Sequence, residues 1–406
     1  GDHSESGCSG QCIDSSIVEP VGVTGDQTHL FLNASVFAAG ALPAGLRLSI
    51  VPPTRRTVIL RPEHPWEAAG FGLYHSVLRI NQSLVHLYYE CDARPDGAAP
   101  APFTKLVRRF VCVAVSRDGG VSFVKPLRSE TTFNGMPSNI VLPPQGDEDY
   151  IQLEPGTVFA DPTATPDAQV KFGATWTRPT KAQTGFYIFS SADGLAFRPE
   201  FAKPSVGPSD TQNAIIYDER NRMWASFIRY DQPHNHSDKS APAYRAVLRC
   251  QDRSLERICG DESAIVIPAG QKAGEPWPPS SLLGLAAQDT HSGVDVYNSA
   301  PARYGSWWLF FPSIFRHFRS DADAPYGLRT SNDGLLDAGF MVAEDGAAAP
   351  EWSPAWNSLA PWVGLGVSSC PGVGSLDQPG SWCPFGPDEA RTSPGTSKIF
   401  VAAGLV

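Results

Sequence analysis

Positive charge is in short supply in this 406-residue chain: 32 Lys and Arg stand against 42 Asp and Glu, a net charge of −10. A general electrostatic grip on nucleic acid or an anionic membrane is therefore not expected, and a neutral or cationic partner suits the surface better. No apolar run reaches the roughly 18 residues of a spanning helix, so no membrane insertion is expected. The N-terminal GDHSESGCSGQC is too polar for a signal peptide, so an exported protein would stand here in its mature form. A P-loop, a strand–GxGxxG–helix fingerprint and a GxSxG elbow are all missing, which removes support for nucleotide cofactors and serine hydrolase chemistry. Long helical periodicity is almost absent and the glycines keep no period, which argues against bundles and coiled coils and excludes collagen.

What the chain does contain is apolar content enough for a large core, 42% of residues, broken up by 37 Gly and 37 Pro spread along its length. Short runs rich in Val, Ile, Phe, Tyr and Trp recur between turn residues, among them LVHLYYECD (84–92), RRFVCVAVS (108–116), VKFGATWT (170–177) and RMWASFIRYD (222–231). Several alternate apolar and polar positions, as half-buried antiparallel strands do, and the reading is all-β. Eight cysteines lack zinc-type clustering, and sequons stand at Asn33, Asn81 and Asn235; together they favour an extracellular or secretory-pathway protein. Pairing chain neighbours gives Cys8–Cys12, Cys91–Cys112, Cys250–Cys259 and Cys370–Cys383, although spacing alone does not choose the connectivity.

A module ending repeats. SRDGGVSF (116–123), SSADGLAF (190–197) and TSNDGLLD (330–337) each follow a strand with Ser or Thr and then Asp-Gly, and CQDRSLERI (250–258) is a degenerate copy. Asp-Gly supplies a positive-φ turn, and the carboxylate can accept local N–H groups. The spacing of roughly 60 to 80 residues is that of a four-stranded sheet with loops. Four blades follow from this count, and residues 361–406 with a strand from 28–37 complete a fifth. The expected fold is a five-bladed β-propeller over 28–406, preceded by an extension, 1–27, that carries Cys8 and Cys12. A β-sandwich with long loops is the competing architecture.

In these modules the chain resembles the glycoside-hydrolase-like five-bladed propellers, the group that includes arabinanase-, xylosidase- and levanase-type enzymes. The likeness is carried by His64-Pro65-Trp66-Glu67, Tyr74-His75-Ser76, Ser116-Arg117-Asp118-Gly119, Asn139-Ile140-Val141, Asp210-Thr211-Gln212-Asn213 and Phe311-Pro312-Ser313-Ile314-Phe315-Arg316-His317-Phe318, in that order over most of residues 60–340. The repeated turn also resembles the Asp-box of sialidases, which is structural and says little about substrate. The resemblance implies that inner strands of successive blades supply a base or nucleophile, an orienting Asp and a general acid to one end of the channel. By position, Asp161-Pro162 matches the orienting Asp of the second blade, and Asp210 the proton donor of the third. The first blade departs from the pattern, with His75 where an Asp is expected and Glu67 upstream, so the base or nucleophile is left between Glu67 and Asp295.

Elementary electrostatics supports such a group independently. Inner strands crowd their leading residues at one mouth, so Glu67, Asp161, Asp210 and Asp295 would converge, and mutual repulsion would keep one of them protonated. The plain alternative for each is a turn cap or an Arg partner. For substrate binding the candidates are Trp66, Tyr74, His75, Asn213, Arg229, Tyr297, Arg316 and His317, whose plain alternatives are packing, interblade ion pairs and solvated loop charges. Trp307 and Trp308 are adjacent on a strand and point oppositely, so one of them packs between blades. No cofactor is expected. A structural Ca²⁺ is compatible with axial oxygen ligands, but no EF-hand-like loop or His/Cys spacing calls for an obligatory metal. The expected function is hydrolysis of a glycosidic bond in an oligo- or polysaccharide by carboxylate acid–base chemistry. The alternative is a non-catalytic extracellular propeller that binds glycan or protein.

Overall fold

A computed structural model describes residues 58–94, 108–144, 152–232, 244–260, 262–267, 294–317, 334–344 and 351–352. The expected extension at 1–27 and the fifth blade built from 28–37 and 361–406 lie outside the described residues. Within them the fold is all-β, with 3₁₀ turns such as Pro65–Glu67 as its only helical pieces.

The first sheet runs β1 (Gly70–Arg79), β2 (Val85–Ala93), β3 (Arg108–Ser116) and β6 (Ile140–Leu142), with a hairpin of β4 (Arg128–Phe133) and β5 (Met136–Ser138) inserted before its last strand. Asn134 and Gly135 turn that hairpin at φ of 50° and 78°, the doubly positive geometry that matches strand twist. The second sheet is β7 (Gln152–Ala160), β8 (Val170–Thr177), β9 (Gly185–Ser191) and β10 (Arg198–Pro199). The third is β11 (Ala214–Asp218), β12 (Met223–Gln232), β13 (Tyr244–Asp252) and β14 (Glu262–Ile267). In the fourth, three long strands are each interrupted once. They are β15 (Val294–Asn298) with β16 (Pro301–Tyr304), β17 (Trp307–Phe310) with β18 (Ser313–His317), and β19 (Gly334–Ala338) with β20 (Met341–Glu344), and β21 (Glu351–Trp352) adds an edge.

All four sheets are antiparallel meanders in chain order, and each packs face to face on the next. Tyr88, Val111 and Val113 of the first meet Val158, Phe172 and Phe189 of the second. Phe159, Phe186 and Ile188 of the second meet Ile215, Trp224 and Ile228 of the third. Phe227 and Val247 of the third meet Trp308, Phe310 and Met341 of the fourth. Trp308 is thus the interblade tryptophan, at 2% exposure. Fully burying a side chain of this kind contributes roughly 1.5–3 kcal/mol, so the interfaces hold the sheets in order. β1 packs beside β7 and β7 beside β11, which makes the first strand of each of the first three sheets the inner one, while β15 of the fourth packs against β13. These are four successive blades of a propeller. Hydroxyls staple the inner strands together: Val158 N donates to Ser76 Oγ at 3.1 Å, and Ile215 N to Thr157 Oγ1 at 3.3 Å.

The repeated turns close locally. Asp118 Oδ1 accepts from the N–H groups of Val121 and Ser122 at 3.0 and 2.9 Å, and Asp193 Oδ1 accepts from Leu195 N at 2.8 Å. The degenerate copy is held differently. Asp252 accepts from Cys259 N and Gly260 N, both at 2.9 Å, and Cys250 and Cys259 form a disulfide across that loop. Cys91–Cys112 is the second disulfide, between β2 and β3. Asp333 and the cysteines at 8, 12, 370 and 383 lie outside the described residues.

Candidate active site

Tyr74 of β1, Glu154 of β7, the turn that enters β11 and Tyr297 of β15 come together across the four sheets. Glu154 on β7 and Asp210, in the turn that enters β11, bring side-chain carboxyls from two blades close enough to repel one another. Asp210 is the open member, with 68% of its side chain exposed, whereas Glu154 keeps 13%. Arg229 Nη1 lies 3.3 Å from Asp210 Oδ2 and also donates to the Asp210 backbone oxygen. Behind Glu154, Gln152 Nε2 donates to Oε1 at 2.7 Å, and Arg109 Nη1 approaches the same oxygen at 3.7 Å. Arg109 Nε then reaches Glu90 Oε1 at 3.2 Å, and Glu90 Oε2 accepts from Leu73 N at 3.1 Å. The room for Glu90 comes from Gly72, where a Cβ would sit 2.0 Å from the Glu90 Cδ. The fourth blade contributes Tyr297, whose hydroxyl accepts from Tyr74 Oη at 3.4 Å and whose ring lies beside the guanidinium groups of Arg229 and Arg245, at 5.6 and 5.3 Å.

Burial and crowding decide the protonation states. Burial, with the Asp210 carboxylate beside it, pushes Glu154 up to about 8 against the opposing pull of Arg109. Burial and the charge of Glu90 likewise raise Asp92 to about 7, and burial raises Glu90 although Arg109 draws it down. At neutral pH Glu154 therefore holds a proton beside Asp210. The hydroxyls of Tyr74 and Tyr297 are also raised, chiefly by burial, and stay protonated.

Several residues singled out from the sequence sit in this group: Asp210, Arg229, Tyr74 and Tyr297. Asn213 and His75 support it. Asn213 is buried, with Oδ1 accepting from Arg229 N at 2.9 Å, while the backbone oxygen of His75 accepts from Gln212 Nε2. The His75 ring itself is lowered to about 4 by burial and is neutral.

Asp161 and Glu67 are placed elsewhere, and the expected convergence with Asp210 is corrected for both. Asp161 follows the far end of β7, seven residues beyond Glu154 or roughly 20 Å of extended chain. There it closes a turn, its Oδ1 accepting from Thr163 N at 2.9 Å and Thr163 Oγ1 at 2.7 Å, with Lys171 Nζ 3.8 Å from Oδ2. An inner strand has two ends, and Asp161 belongs to the trailing one.

Glu67 is fully buried against the face of the first blade turned away from the second. It accepts from Glu63 N at 2.7 Å, His64 N at 3.1 Å, Tyr89 Oη at 2.7 Å and Lys125 Nζ at 2.9 Å. Burial alone would raise its pKa, yet these donors bring it below the ordinary value. Trp66 belongs to the same knot, its Nε1 donating to Asn139 Oδ1 at 2.8 Å, and is a packing residue at 2% exposure. Asp295 pairs with Phe315 on β15, two positions before Tyr297, while Arg316 and His317 end β18 opposite Val294 and Gly334. The side chains of these three fall outside the described residues.

Glu154, Glu90, Asp92 and Arg109 are members of this candidate group that reading the sequence missed. A signal existed for Glu154: Pro155-Gly156 follows it inside a strand, and the β7–β8 register shifts between Pro155 and Val158. Such interruptions mark bulges, which are frequent beside active sites.

No protein-family model matches the chain, and comparison with curated proteins finds no relative. Among solved structures, the chain overlaps a protein described as a glycoside hydrolase at TM-score 0.46 and 10% identity, covering 78% of this chain and 81% of the other. A β-1,2-mannobiose phosphorylase from Listeria innocua overlaps at TM-score 0.43 and 12% identity, over 72% and 77% of the two chains. The α-L-arabinofuranosidase of Fusarium graminearum, solved with arabinobiose, overlaps at 0.37 and 10% identity, over 74% and 67%. At these scores the overlaps say nothing of activity, and the chemistry is read from this chain's own side chains.

Proposed function

We propose that the protein is an exported glycoside hydrolase in which the Glu154–Asp210 pair handles the proton given to the leaving oxygen. The observation that carries this is an exposed carboxyl placed beside a buried one, the two supplied by separate blades. Glycosidic cleavage needs a group still protonated at neutral pH beside the scissile bond. In the pair, Asp210 faces solvent and substrate, and Glu154 keeps the shared proton available behind it. The proton passes to the glycosidic oxygen as the bond to the anomeric carbon breaks, and water supplies hydroxide to that carbon with its second proton taken by a base. Asp295 and Asp92 are the carboxyls proposed for that base, and Arg229 orients Asp210. The two disulfides suit the oxidising compartment that export implies.

Asp210→Asn tests the assignment on a panel of plant, algal and bacterial polysaccharides, read as reducing-sugar release. Loss of a positioned proton donor should lower kcat by about 10²–10⁴-fold. Unchanged turnover by the variant would reject the role.

One feature favours a second reading, a glycan-binding propeller without turnover. The leading residues of β1 supply Tyr74 in place of a carboxylate, and Glu90 is occupied by Arg109. Binding to a glycan array with no sugar release from the same glycans would select it.

A further inference from the structure

The tetrapeptide Asp210-Thr211-Gln212-Asn213 touches all four described blades. Its backbone folds through two consecutive three-residue turns, with Thr211 N donating to Ser209 O at 3.1 Å and Asn213 N to Thr211 O at 2.9 Å. Asp210 and Gln212 are their central residues, so both side chains project from tightly bent chain. Asp210 meets Glu154 of the second blade, and Thr211 Oγ1 donates to Tyr297 O of the fourth at 3.2 Å. Asn213 Oδ1 accepts from Arg229 N of its own blade. Gln212, at 3% exposure, donates through Nε2 to His75 O of the first blade and to Gly156 O of the second at 3.2 Å. Gly156 is where the chains run closest: a Cβ there would lie 2.4 Å from Gly173 O and 3.0 Å from Asn213 O.

We propose that Gln212 is the positioning residue of the carboxyl pair, tying the turn that carries Asp210 to the backbone beside Tyr74 and beside Glu154, and so fixing the distance between the two carboxyls. Side-chain amides suit the task. One Nε2 carries two donors, which satisfies two carbonyl oxygens on different strands at once. Two adjacent three-residue turns have little sheet pairing of their own, and among the described residues this bracket is the hydrogen bond that the tetrapeptide donates to the first blade. Arg229 would still grip Asp210, but from the third blade, to which the turn already belongs.

The catalytic consequence rests on the hydrolase reading; the geometric claim does not, and the test separates them. Carboxyl ¹³C NMR follows the titration of Glu154 in the wild type, in Gln212→Met, which keeps bulk and removes both donors, and in Gln212→Asn, one methylene short. Ser76→Ala is the control, because it removes a different interblade bond, from Val158 N. If Gln212 sets the pair, Q212M moves the Glu154 midpoint down by about one pH unit or more, Q212N shifts it less in the same direction, and S76A leaves it in place. Should Q212M not fold, Q212N against S76A carries the comparison alone. An unmoved midpoint in the Gln212 variants, or an equal shift in S76A, overturns the proposal. On any polysaccharide that the wild type cleaves, kcat should fall in Q212M with KM little changed. A wild type that cleaves nothing, with the titration behaving as stated, would overturn the hydrolase reading and leave the positioning role standing.

Discussion

Glu67 and Glu154 are both buried glutamates of a propeller, and their surroundings make them opposites. Around Glu67 stand an ammonium group, a phenol and two backbone N–H groups, all donors, and the carboxylate is held ionised. Beside Glu154 stands another carboxyl, Asp210, while Arg109 stands off at 3.7 Å and Oε2 finds no donor among the described residues. A buried charge that has been given every partner it needs is a fastener. One denied them keeps a proton, and a retained proton can be handed on. The difference teaches where chemistry can occur in this fold: at the leading mouth, where blades contribute like charges, and not in the first-blade knot, where the charges are matched.

The comparison breaks most visibly at Glu67. Glu67→Ala would take from the Lys125 ammonium, on a side chain 6% exposed, its nearest carboxylate, leaving Glu63 at 3.3 Å and the Arg61 backbone oxygen, and would leave Tyr89 Oη with the Asn139 amide donor but without the carboxylate it donates to. Removing one partner of a buried pair costs about 3–5 kcal/mol, and urea unfolding should show a loss of that size. Any glycosidase activity of the fraction that remains folded should be unchanged.

Glu154 should respond in the contrary sense, and only at high pH. Its ordinary value is 4.5 and its folded value about 8, so between them the folded state binds more protons than the unfolded one, and stability falls as pH rises through that window. Below the ordinary value the group contributes no penalty. Glu154→Gln has no charge to bury, so the variant should nearly match the wild type near about pH 5 and exceed it by about 1.4 kcal/mol for each pH unit crossed up to about pH 8, several kcal/mol in all. A smaller slope should survive in E154Q, because Asp92 is raised to about 7. Urea midpoints across pH measure both. A wild type equally stable at both ends would mean that Glu154 is ionised without cost, and the proton assigned to it would vanish.

How much of this could be read beforehand follows from the range of each interaction. The turns at Asp118 and Asp193 were legible because the carboxylate bonds residues within four positions of itself, so the motif is its own explanation. Blade order was legible for the same reason, since meander sheets pair strands that are consecutive in the chain. Asp210 stood out as an acidic residue in a polar stretch immediately before a strand. Glu154 did not, because what raises its pKa is burial in the assembled fold and a residue 56 positions away, and no spacing announces either. Glu90 and Asp92 lie in a strand that reads as apolar, and their meaning comes from Arg109 across the sheet. The error over Asp161 was one of direction: the pattern located it on an inner strand correctly but could not say which end of that strand faces the mouth.

That error supplies the smallest and sharpest contrast. Asp161→Asn keeps an oxygen for Thr163 N and its hydroxyl, and Lys171 retains Glu200 at 2.8 Å, so the only loss is a long ion pair at 3.8 Å. Turn-capping changes of this kind cost about 0.5–1 kcal/mol. The glycosidase assay should not respond at all, since β7 separates the substituted residue from Asp210 by most of its length. If D161N instead lowered turnover as far as Asp210→Asn does, the two ends of the inner strand would act on one substrate, and the division between a reactive mouth and a fastened remainder would fail.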